Sequence, residues 1–203
     1  MAPPIAVLIA WAIWLASWTL AMGRSEPTVS RPTPGAERLY TVVVNAGFVL
    51  LVASAFRALG PRLWSLPGSA AWALVGLAIA GFGFCWWARL HLGRTWSWSV
   101  TLKQSHPIVD TGPYGLVRHP IYAGVIVAAA ATAAIEARAA ALAGLALMVA
   151  GLSIKARLEE RFLTAELGAV AYGAYAARTG MLLPKLRPGT ASAARDRDIA
   201  RQR

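Results

Sequence analysis

The chain has 203 residues, of which 57% are hydrophobic and only 14% charged, with a mean hydropathy of +0.52. Soluble domains carry about 25% charged residues, so the composition excludes an ordinary soluble domain and indicates one all-α integral membrane unit of several helices. The net charge of +11 does not indicate a nucleic-acid partner, because much of it lies beside apolar runs and in the tail, where cations set membrane orientation and attract anionic lipid.

Residues 3–22 are apolar and uncharged, enough to cross a bilayer. A cleaved signal peptide wants Lys or Arg ahead of its apolar core, and MAPP offers none; a retained span is expected. Residues 24–38 read as a polar, Pro-rich linker. A second span is expected over 41–59, with Arg57 near its end and GPR at 60–62 breaking it. The third covers 69–87 and ends in Trp86 and Trp87 with Arg89 just beyond, a pattern suited to a membrane–water interface. Its Cys85, the chain's single cysteine, excludes an internal disulfide and is expected to be a small core residue.

Residues 89–119 form the longest non-apolar loop before the tail, with LGRTWSWS, Lys103, His106 and the start of GPYGLVRHPIYAG, residues 112–124. The Ala-rich run 120–154 would be roughly 52 Å long as one helix at 1.5 Å per residue, against a bilayer core of about 30 Å. Glu136 and Arg138 lie at its middle, so it reads as two helices in a tight hairpin whose alanines allow close backbone approach. An amphipathic helix is expected over 155–178, stopped by Pro184, and the polar, charged residues 190–203 are expected to be disordered. Three spans over 1–88, a core over 89–184 and a basic tail over 185–203 complete the division. No internal repeat or metal-ligand cluster is legible.

With about five spans, seventeen of the twenty Lys and Arg residues fall on one side of the membrane and Arg57, Arg62 and Arg138 on the other. The richer side is expected to be cytoplasmic. That puts the N-terminus outside and the motif loop and amphipathic helix together in the cytoplasm.

Gly112-Pro113 is turn chemistry, and Pro120 suits the first turn of a helix. Arg118 and His119 then stand where free backbone N–H groups and a positive dipole end favour a carboxylate or phosphate. Tyr122 follows on the same helical side. Arg, His and Tyr near a span end are also ordinary interfacial anchors. Lys155 and Glu159, at i and i+4, share a face, and taken alone they read equally well as a solvated surface pair.

The order of the pieces is more specific than any one of them. HPIV, GPYGLVRHPIYAG, an Ala-rich hairpin, then EERFL, LG, AYGAY and LLP resembles the isoprenylcysteine carboxyl methyltransferase family, a wider group that includes membrane phospholipid methyltransferases. The resemblance covers about residues 92–184. It implies S-adenosyl-L-methionine bound without a Rossmann domain; the only GxG, at Gly81 to Gly83, opens no dinucleotide fingerprint. It implies a cofactor wall of His106, Pro107, Ile108 and Val109, a second wall of Tyr114, His119, Pro120, Ile121 and Tyr122, and Glu159 reaching in from the last helix. It also implies catalytic work for Arg118, Glu159 and the basic pair Lys155 and Arg157, the latter two toward the acidic end of a lipophilic acceptor. Three departures from the family pattern stand out: Gly115 and Leu116 replace a cation and an aromatic, the spacing from Gly168 to Tyr172 is one residue longer, and Lys155 stands for arginine.

A sulfonium methyl is already activated, so alignment and exclusion of water carry most of the rate. A carboxylate acceptor needs no base, whereas an amine or phenol does; only Glu160 and the tyrosines offer themselves. The favoured reading is therefore O-methylation of a lipophilic carboxylate. The alternatives are methylation of a phospholipid or small hydrophobic molecule, an NADPH-dependent sterol-type reductase, and a membrane scaffold. Against the reductase, the sequence lacks the asparagine and acid of an RHxNYxGD motif. The acceptor and the oligomeric state are not legible.

Overall fold

The structure is a computed structural model that describes residues 1–21, 34–55, 59–93 and 108–185. His106, Pro107 and residues 186–203 lie outside the described residues, as does most of the expected linker. The described residues form helices α1 (Pro3–Leu20), α2 (Pro34–Ala53), α3 (Gly68–Leu92), the single turn α4 (Pro113–Leu116), α5 (Pro120–Glu136), α6 (Ala139–Leu167) and α7 (Ala169–Arg178). Their only extended pairing is a parallel bridge between Val117 and Gly180. Proline stands in the first turn of α1, α4 and α5, where its missing N–H costs no helical bond.

Among the described residues, four helices are long and apolar enough to cross a membrane: α1, residues 35–53 of α2, α3 and α6. The apolar α5 has 17 residues, roughly 25 Å at 1.5 Å each, so a fifth crossing depends on this shorter helix. It ends at Ala137, whose left-handed φ of 54° turns the chain into α6.

Several boundaries differ from the sequence reading. The second helix starts at Pro34, with Glu37 in its first turn, where the helix dipole favours an acid. It stops at Ala53 instead of 59, just where the Ser54 hydroxyl bonds back to the Leu51 carbonyl. Helix α3 runs on to Leu92 with Arg89 and His91 in its last turn, favoured by the dipole. The Arg89 side chain turns onto α1: it is buried, donates from Nη2 to the Ala21 carbonyl at 2.6 Å, and lies 4.5 Å from the Trp18 ring centroid. No new helix begins at 155. Helix α6 continues unbroken to Leu167, and the break comes at Gly168 with φ 88°. Cys85 is buried, with its thiol on the Ile121 carbonyl.

Lipid tails are as apolar as leucine, so close packing has to hold these helices together. Helix α2 meets α6 at Gly47 and Gly144, where a Cβ on either would come within 2.7 Å of the other's carbonyl oxygen. Helix α3 meets α5 at Gly81 and Gly124 in the same way. Helix α1 adds an aromatic seam: Trp11 lies edge-on to Phe48 and Phe82, and its indole donates to Thr132 of α5 at 2.9 Å.

Candidate functional site

The polar centre forms where α5 begins, beside the far end of α6. The return segment after α7 holds the RHP backbone: Arg118 N–H donates to the Gly180 carbonyl and His119 N–H to that of Met181, at 2.8 and 3.1 Å. The imidazole of His119 then projects between two adjacent carboxylates of α6. Its Nδ1 is 3.2 Å from Glu159 Oε2 and its Nε2 is 3.2 Å from Glu160 Oε1. Two carboxylates facing both ring nitrogens require both to donate, which is the imidazolium form. Burial works against that charge, but Glu159 and Glu160 outweigh it and hold the His119 pKa above its ordinary 6.5.

One turn on, Tyr122 stacks parallel to the His119 ring at 5.3 Å and donates its hydroxyl to Glu159 Oε1 at 2.8 Å. Lys155 stands one turn before Glu159 on α6, its ammonium 5.2 Å from the Tyr122 ring centroid and 5.4 Å from that of Tyr40. Arg118 donates from Nε to Glu160 at 2.6 Å, and from Nη1 to the carbonyls of Ala176 and Thr179. Its guanidinium therefore ties Glu160 to the end of α7. Burial disfavours this cation, and Glu160 more than restores it, so the pKa is raised.

Arg118, His119, Tyr122, Lys155 and Glu159 line one end of a cavity of about 430 Å³, within the range of small-molecule sites. The polar end also carries Ile108, Val109, Tyr114, Pro120, Ile121, Tyr172 and Tyr175. The other end runs between Trp11, Trp14 and Trp18 of α1 and Val44, Asn45 and Phe48 of α2, with Met148 and Leu152 of α6. The Tyr175 hydroxyl donates to the Tyr114 carbonyl at 2.8 Å, docking α7 onto α4. Burial raises the pKa of Tyr114 and Tyr172 and pushes that of Tyr175 up to about 12, so these phenols stay neutral and are poor bases.

Of the residues read from sequence, Ile108, Val109, Tyr114, His119, Pro120, Ile121, Tyr122, Lys155 and Glu159 converge on the cavity. Arg118 reaches it but spends its donors on Glu160 and the α7 carbonyls, which makes it a positioning residue. Arg157 is exposed and does not line the cavity, because two residues before Glu159 is the opposite side of a helix. Sequence reasoning missed the walls supplied by α1 and α2, and it undervalued Glu160. The signals were present: Trp11, Trp14 and Trp18 lie at helical spacing, and Asn45 is polar within a span.

Residues 74–165 match the model of the isoprenylcysteine carboxyl methyltransferase (ICMT) family. The resemblance read from the motifs is thereby shown for this stretch, which begins within α3 and stops before α7. Methyltransferases of the ICMT family use S-adenosyl-L-methionine. The matched residues include His119, Tyr122, Lys155, Glu159 and Glu160, while the walls from α1, α2 and α7 stand outside the match. Among curated proteins, no match to the chain was found.

Proposed function

We propose that this protein is an integral-membrane methyltransferase that transfers the methyl of S-adenosyl-L-methionine to a lipophilic carboxylate. The observation that carries the reading is a single cavity with two ends, a charged one built on His119 and Glu159 and an aromatic one between α1 and α2.

The residues fit the cofactor. It carries a sulfonium, an ammonium, a carboxylate, a ribose diol and a flat base. The polar end offers the Glu159 carboxylate, the His119 imidazolium and the rings of Tyr114, Tyr122, Tyr172 and Tyr175. Carboxylate and π-faces suit the sulfonium and the ammonium. When bound, S-adenosyl-L-methionine supplies a methyl carbon on positive sulfur: the acceptor oxygen's electron pair forms the O–C bond as the C–S pair returns to sulfur, giving a methyl ester and the thioether.

The chain's own work is placement. Glu159 is fixed by His119 and Tyr122, so its remaining acceptor capacity has a set direction. Lys155, on the same face, draws an anionic acceptor toward the polar end. The aromatic walls seat an apolar chain and exclude water, which concentrates the reactants and strengthens every charge contact. Tyr114, Tyr172 and Tyr175 are held neutral, and Glu160 is occupied by Arg118 and His119. This supports an acceptor that arrives already ionised over an amine or phenol that must lose a proton.

The deciding experiment incubates membranes carrying the protein with labelled S-adenosyl-L-methionine and identifies the labelled lipid or peptide. Base-labile label released as methanol supports a methyl ester. Base-stable label on a phospholipid amine would replace the carboxylate with the alternative acceptor.

A further inference from the structure

The far end of α5 holds a second charged cavity, of about 740 Å³, a full helix length from His119. It lies between Pro4 near the start of α1, Ala55 after α2, the 60–62 loop and the α5–α6 turn. Among the described residues, three charges line it: Arg62, Glu136 and Arg138. Glu136 and Arg138 are 2% and 7% exposed. Among the described residues, Glu136 Oε1 and Arg138 Nε have no hydrogen-bond partner.

The surrounding loop is otherwise well made. Leu63 N–H donates to the Ala137 carbonyl at 2.6 Å, the Trp64 indole to that of Ala134 at 3.0 Å, and Arg138 Nη1 to that of Gly60. Arg62 Nη2 reaches the Ile135 carbonyl at 3.4 Å. The carbonyl end of α5 is thus capped from outside, while an acid and a guanidine nitrogen beside it are left wanting. A buried polar atom without a partner is costly, and such an atom calls for a ligand or ordered water. One group that satisfies both atoms must offer an acceptor to Arg138 and a donor to Glu136. Among the described residues, two guanidiniums face one carboxylate and leave one positive charge, so the acceptor should be an anion. Next in the chain to the lining residues Pro4, Gly60 and Arg62, the side chains of Ile5, Leu59 and Leu63 are 54%, 39% and 53% exposed. A charged pocket whose chain neighbours expose aliphatic side chains, at the ends of membrane helices, matches a molecule with a polar head and hydrocarbon chains.

We infer that this pocket seats the head group of a glycerophospholipid. Its phosphodiester lies against Arg62 and Arg138, and an ammonium or hydroxyl beyond the phosphate donates to Glu136. The site is separate from methyl transfer and does not depend on it.

The test uses the delipidated full chain in detergent, with native mass spectrometry and the thermal midpoint as readouts. Phosphatidylethanolamine, phosphatidylglycerol and phosphatidylcholine with identical acyl chains are compared; the last has the phosphate but no donor. One copy of either of the first two should bind at least tenfold tighter than phosphatidylcholine. Arg62 is exposed and outside the methyl-transfer cavity, so Arg62→Gln should fold and bind S-adenosyl-L-methionine normally, yet lose about tenfold in affinity for both lipids. Glu136→Gln should erase the preference over phosphatidylcholine. If it does not fold, Arg62→Gln decides alone. Equal binding of all three lipids, or lipid binding unaffected by Arg62→Gln, overturns the assignment. So does an equal thermal shift from inorganic phosphate or glycerophosphoethanolamine, which would make this a site for a soluble phosphate.

Discussion

Glu159 and Glu160 hold one imidazole from two sides, yet their other partners divide the work. Glu160 is bound to Arg118 and through it to α7, while Glu159 has Tyr122 and faces the cavity with Lys155. Glu159→Gln keeps the size but weakens charge-assisted bonds of the kind worth about 1.5–3 kcal/mol. It should raise KM for S-adenosyl-L-methionine on the order of tenfold to a hundredfold, or abolish turnover. Lys155→Ala should mainly raise KM for the acceptor, and Arg157→Ala, on the outer face, should stay near wild type. Normal turnover with unchanged cofactor affinity in Glu159→Gln would show that α6 does not close the site. The raised pKa of His119 has its own consequence. The folded state holds this proton more tightly than the unfolded chain, so the stabilisation is complete below about pH 6.5 and is lost as pH rises through the higher folded value. Glu159 and Glu160 face the ring from α6, and Tyr122 stacks on it from α5. The thermal midpoint should therefore fall from neutral to alkaline pH, and His119→Gln should flatten that part of the profile; an unchanged slope in the variant would remove His119 as its cause. The polar end was readable in sequence because RHP, Tyr122, Lys155 and Glu159 sit at fixed short spacings within two segments. The aromatic end was not, because what α1 and α2 present to α6 is decided by packing across more than a hundred residues of chain.

At the scale of the helix, two glycines two positions apart in α3 behave oppositely. A Cβ on Gly81 would stand 2.7 Å from the Gly124 carbonyl, whereas one on Gly83 would meet nothing within 4 Å. Gly81→Ala should force α3 and α5 apart and cost about 1–3 kcal/mol by overpacking. Gly83→Ala should be neutral or slightly stabilising, since alanine is the better helix former by about 1 kcal/mol. Thermal unfolding of the two variants in detergent checks this, and equal midpoints would mean that the glycine contact does not hold the pair together. The helices themselves were legible as apolar runs of membrane length, and Ala137 turns the chain where Glu136 and Arg138 interrupt the longest run. The register of the crossings was not, because alanines and glycines fill every face of these helices and only the fold selects the touching ones. The end of α6 was misread for a related reason. Charges begin at Lys155, but a change of polarity is not a helix breaker, and nothing before Gly168 forces the backbone out of helical geometry. The uninterrupted helix is what delivers Glu159 to His119: at 29 residues and 1.5 Å per residue it is roughly 44 Å long, about 14 Å more than a bilayer core.

For the molecule as a whole, the two charged cavities lie at opposite ends of α5, so the orientation of the chain decides which compartment each one meets. Among the described residues, eight of the ten Lys and Arg residues lie toward the His119 end, and the other end has Arg62 and Arg138. That imbalance favours a cytoplasmic methyl-transfer site, on the side where a soluble, highly polar cofactor is made. Single cysteines test it. Cys85 is buried and is replaced by alanine, leaving a thiol-free chain. Ser65, in the loop before α3, and Ala174 of α7 are both exposed and lie at the two ends. In intact cells an impermeant maleimide should label Ser65→Cys directly and Ala174→Cys only after lysis. The reverse pattern would turn the protein over in the membrane: the motif end would then face away from the cytosolic cofactor supply, and the methyltransferase reading would lose its source of methyl groups even if every contact around His119 were as described.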